Sequence, residues 1–131
     1  MRSPGIDTER VIQSPEAGYE PYSEGLDVIL AADVLIYVGA LERVFEGAAA
    51  SLRRNGGPAL FLFSLESLLS AELGTKYRLQ RSGRFAHSRA YVDSLCEAYG
   101  FTILRCEDVT VRLETTERIP GWVYICRLST L

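Results

Sequence analysis

The sequence predicts an α/β fold: two parallel strands, a C-terminal antiparallel strand pair, and flanking helices. Three observations carry that expectation. Residues 26–39 open with a β-branched and aliphatic run lacking polar alternation, which is how a strand buried on both faces of a parallel sheet reads. A helical pattern and a glycine-rich turn separate it from a second short apolar run at 59–65, so the pieces form a βαβ unit with a right-handed crossover and parallel strands. Residues 121–128 follow the strand-like stretch 108–113 after a turn too short for a crossover, so these two pair antiparallel.

Taken in order, residues 1–25 are rich in Pro, Gly, Ser and Glu, with one apolar pair at Val11 and Ile12. Pro15, Gly18, Pro21 and Gly25 punctuate the segment too often for a long element, so it reads as a polar, loosely ordered N-terminal segment tacked down by Tyr19 and Tyr22. The first strand covers 27–32 and ends in a loop at Val38 and Gly39. In 40–54, Leu41, Val44, Phe45, Ala48 and Leu52 recur at helical spacing, while Glu42, Arg43, Glu46, Arg53 and Arg54 take the other face. Arg53 and Arg54 suit the negative end of the helix dipole, and Asn55-Gly56-Gly57-Pro58 stops the helix.

The second strand, 59–65, leads to Glu66, a short helical turn over 67–73, and a polar, glycine-punctuated loop over 74–87 that holds the only histidine. Ser88 reads as the N-cap of a helix over 89–99, with Tyr91, Val92, Leu95, Cys96 and Tyr99 on one face and Gly100 as terminator. Strands at 101–105 and 108–113, a turn at 114–120 and the return strand 121–128 complete the chain.

Composition bounds the function. The chain has 131 residues, enough for a single domain, and a formal charge of −3 with scattered Lys and Arg, which argues against nucleic acid as a partner. Cys96, Cys106 and Cys126 are odd in number and lack C-x-x-C spacing, so neither a disulfide framework nor a metal site is expected. Without a leader-like apolar region or a run long enough to span a bilayer, no membrane association is expected and a cytoplasmic location is the default.

The order of elements resembles the C-terminal half of the class I S-adenosylmethionine-dependent methyltransferases. Residues 26–39 look like the fourth-strand segment of that family. Leu52-Arg53-Arg54-Asn55-Gly56-Gly57 followed by 60–64 is similar to its leucine-arginine-proline-glycine-glycine turn into the fifth strand, with asparagine in place of proline. Tyr77-Arg78-Leu79, then residues 82–88, and Pro120-Gly121-Trp122 are similar to a methyltransferase group often attached to tetratricopeptide repeats. The resemblance implies a partial Rossmann-like methyltransferase sheet over 26–131, S-adenosylmethionine as cofactor, and a small-molecule or protein methyl acceptor.

The family holds its donor mainly through a glycine-rich turn after the first strand and an acidic residue after the second, and residues 1–25 have room for neither. The chain therefore reads as a truncated domain, inactive alone; the alternative is a non-catalytic half-domain acting as an interaction or structural module. In the full family the first strand lies beside the fourth. Without it the 27–32 strand keeps an open apolar edge, which soluble proteins avoid. Marginal stability, a homodimer through that edge, or a cover from the N-terminal segment are the expected consequences.

Candidate site residues follow from strand ends. Asp33, flanked by Ala32 and Val34, stands where the resemblance places groups beside the methyl donor; the plainer role is capping the next loop. Tyr37 lines the same crevice or simply packs. Glu66 ends the second strand in position for substrate, or caps the turn after it. Arg84 and Arg78 suit a bidentate grip on a substrate carboxylate, or solvate their loop. His87 is the one side chain titrating near neutrality, hence a candidate general base, or an ordering hydrogen-bond donor.

Overall fold

The computed structural model describes residues 25–69 and 74–129. The expectations for 1–24, including Tyr19 and Tyr22, and for most of the turn after 67 lie outside the described residues. The elements are β1 (Val28–Ala31), a 3-10 turn (Leu35–Tyr37), α1 (Glu42–Ser51), β2 (Leu60–Ser67), β3 (Tyr77–Leu79), β4 (Phe85–His87), α2 (Arg89–Ala98), β5 (Phe101–Glu114) and β6 (Glu117–Leu128). Strand β2 is the axis of one mixed sheet. On one edge it pairs in parallel with β1 along Leu60–Phe63 and with β4 at Glu66–Ser67; on the other it pairs antiparallel with β6, and β5 lies beyond.

The parallel pair and the antiparallel return are where the apolar runs place them. Four features differ from expectation. The 74–87 loop contains the β3–β4 hairpin, because its β4 half adds to the upper end of β2, which runs on through Ser67. The two strands expected over 101–113 are one strand, with bulges at Ile103/Arg105 and Thr110/Arg112 absorbing the breaks in alternation. Helix α1 stops at Ser51 because Leu52 turns extended to bridge Leu26; Arg53 pairs with Asp27, and Arg54 donates to the Ser129 carbonyl. Strand β1 is not buried on both faces, since Leu30 is 69% exposed.

The reason lies in the layers. Phe61, Phe63 and Leu65 of β2 and Trp122, Tyr124, Cys126 and Leu128 of β6 alternate onto one face, where they form a single core with Leu41, Phe45 and Ala48 from the α1 segment and Tyr91, Val92, Leu95 and Cys96 of α2. Ile29 and Ala31 join it from β1. The intervening Val28 and Leu30, Leu60 and Leu62, and Val123 and Ile125 take the opposite face, over which no helix lies among the described residues. Gly121 lets the strands close up: a Cβ there would collide with the Leu65 carbonyl oxygen and with Val111.

Candidate functional site

Two neighbouring clusters occupy the carboxyl ends of the parallel strands. The first is the loop after β1. Asp33 adopts a left-handed backbone (φ 58°), which Asp tolerates better than most residues, and its N–H donates to Ser64 Oγ at 3.1 Å. Leu35 and Ile36 sink into the protein, leaving Ala32, Asp33, Val34 and Tyr37 exposed on the outer side.

The far end of this loop is held by His87. Its ring is fully buried, and Nε2 lies 2.9 Å from both the Val38 and Gly39 carbonyl oxygens, so it must donate. Nδ1 is buried without a partner among the described residues, and burial lowers the pKa, so the neutral ring is favoured. A base with one nitrogen committed and the other enclosed has no route to an acceptor in this arrangement; the geometry gives His87 a positioning role. Tyr91 does parallel work at the start of α1: its hydroxyl accepts the Leu41 N–H at 2.9 Å and donates to Glu42 Oε1 at 2.8 Å. Burial, reinforced by Glu42, pushes that phenol up to about 12, and the same bond holds the Glu42 carboxyl low.

The second cluster surrounds Glu66. Its carboxylate is buried and paired with Arg112 from β5; Arg84, entering β4, pairs with Glu114 at 3.2 Å. Burial raises the Glu66 pKa, opposed by Arg112 and Arg84. Ser64 and Glu66 share one face of β2, so the Asp33 loop and the Glu66 network adjoin along it. His87 does not join them, because alternation along β4 sends Ala86 to that side and His87 to the other. The structure thus brings Asp33, Glu66 and Arg84 to one end of the sheet, adds Arg112 and Glu114, and leaves His87 behind the loop. Arg112 and Glu114 carry no sequence signal, since in a strand with polar alternation they read as solvent-facing charge.

The described residues meet the donor only in part. A strand-end loop with an exposed carboxylate is present, but Ala32, Asp33 and Val34 form an open lip, and no glycine-rich turn faces them among the described residues.

No family model matches the sequence, and no curated protein is significantly similar to it. Solved structures do match. A methyltransferase from Methanosarcina mazei, dependent on S-adenosylmethionine, aligns with a TM-score of 0.63 at 14% identity over 86% of this chain and 63% of its own. Magnesium protoporphyrin IX methyltransferase from Synechocystis, with S-adenosylhomocysteine bound, aligns at 0.57 and 15% identity over 82% of this chain and 47% of its own. The fold is that of the class I S-adenosylmethionine-dependent methyltransferases. The [4+2]-cyclase SpnF also aligns, at a TM-score of 0.64 and 13% identity over 92% of this chain and 54% of its own, so fold likeness does not name a reaction. Against each of these three the chain spans less than two thirds of the matched structure's length.

Proposed function

We propose that residues 26–131 are the C-terminal part of a methyltransferase domain dependent on S-adenosylmethionine, that this chain alone does not transfer methyl groups, and that it works in the cytoplasm. The observation carrying this reading is the β1–β2–β6–β5 order with an antiparallel return, in a methyltransferase fold whose β1 lip has no opposing turn among the described residues. In that role Asp33 and its neighbours furnish one wall of a donor crevice. Glu66 and Arg84 belong to the acceptor side, and His87 holds the loop between strand and helix. Methyl transfer asks mainly for alignment of an already activated donor with the acceptor, so a rigid loop is the contribution this half makes. Calorimetric titration with S-adenosylmethionine is expected to show no saturable heat and no thermal stabilisation. Saturable binding by this chain would overturn the inactive-alone reading.

The edge of β1 favours a second reading, an interaction module that pairs with its own copy. Leu60 N–H bonds to the Asp27 carbonyl, so the odd-numbered backbone groups of the strand face β2. Those of Val28 and Leu30 face outward, beside an exposed Leu30, Val34 and Tyr37. Antiparallel pairing of two such edges is self-complementary about a two-fold axis. Sedimentation velocity is expected to show a dimer that Leu30→Pro disperses, because proline there removes an outward N–H and leaves the β1–β2 ladder intact. A monomer at all concentrations would refute the pairing.

A further inference from the structure

At the carboxyl end of β2, between the β3–β4 hairpin and the end of the β5–β6 hairpin, lies a cleft of ≈ 520 Å³. That volume falls within the range of small-molecule sites, roughly 300–1,000 Å³. Leu68, Ala86, Ile119 and Pro120 give it apolar walls, and Arg78 and Arg81 stand exposed at its rim. The two acids that line it are already matched, Glu66 by Arg112 and Glu114 by Arg84. Arg78 and Arg81 have no ion-pair partner among the described residues, so the cleft and its back wall hold four arginines against two glutamates. The Nε groups of Arg84 and Arg112 are buried donors with no acceptor among those residues. Surplus guanidinium charge over an apolar pocket is complementary to one kind of ligand: an apolar body ending in an oxyanion.

We propose that this cleft binds a small organic oxyanion, its apolar body against Ile119 and Pro120 and its carboxylate or phosphate ester held by Arg78 and Arg81. As the class of methyl acceptor this rests on the methyl-transfer reading, whereas the binding itself needs no donor and is tested without one. The probes are 4-phenylbutyrate, phenyl phosphate and the uncharged 4-phenylbutanamide, titrated by calorimetry and ligand-observed NMR. At least one anion is expected to bind about tenfold or more tightly than the amide, with affinity falling as salt rises; which anion does so identifies the head group. An Arg78→Gln/Arg81→Gln variant is expected to bind anion and amide alike while keeping the wild-type circular dichroism and thermal midpoint, both side chains being exposed; Arg43→Gln, on α1, is expected to leave the preference unchanged. Equal binding of amide and anions, an undiminished anion preference in the double variant, or no binding of any probe up to about 10 mM overturns the proposal.

Discussion

Replacing Phe45 by alanine is expected to remove about 3–5 kcal/mol of stability, about a fifth or more of the roughly 5–15 kcal/mol that a domain ordinarily has. Phe45 is fully buried at the centre of an aromatic cluster, with ring centroids 5.5 Å from Phe61, 5.5 Å from Phe63 and 5.9 Å from Phe101, all edge-on, and 6.4 Å from Tyr99. It is the point where α1 meets β2 and the start of β5. Truncation leaves a cavity that rings fixed on two strands cannot collapse to fill, so the transfer and cavity costs add. Urea denaturation should show a lowered midpoint with an unchanged slope. A loss under about 1 kcal/mol would mean that α1 settles onto the sheet, and that the β1–α1 loop is not held by this core. Phe45→Leu, which restores part of the volume, should recover part of the loss.

Phe45 was legible in the sequence because helical spacing and apolar strands are local signals. The same holds for β2, α2 with its Ser88 cap, and the antiparallel return. The β3–β4 hairpin was not legible: each strand is three residues long, and its order comes from pairing with a strand extension far away in sequence. Long β5 was masked by its bulges, which break the period of two. At the site, strand ends pointed correctly to the neighbourhood of Asp33 and Glu66, since chain direction alone decides where carboxyl ends lie. The role of His87 depended on which way two backbone carbonyls, 48 and 49 positions away, would point. Arg112 meets Glu66 across 46 positions and two intervening helical or hairpin units, which no local pattern encodes.

That ion pair sets the second large expectation: Arg112→Ala should cost about 3–5 kcal/mol at neutral pH, because it strands a buried carboxylate. The side chains are 16% and 6% exposed, so solvent does little to replace the lost partner. The sign of the pH dependence separates a stranded charge from lost packing. Burial already holds the Glu66 pKa above its ordinary 4.5, with Arg112 opposing; deleting the arginine raises it further. The folded state then binds a proton that the unfolded state has released, so stability falls as pH rises from 4.5 through the folded pKa and is recovered as pH is lowered toward 4.5. The penalty in Arg112→Ala should therefore shrink on acidification, whereas a packing defect would not respond. Glu66→Gln in the same background supplies the neutral form directly and should regain much of the loss at pH 7, with denaturation curves of the two variants converging near pH 4.5. Parallel curves at every pH would show that Arg112 serves by its bulk, and that Glu66 is free of the network assigned to it.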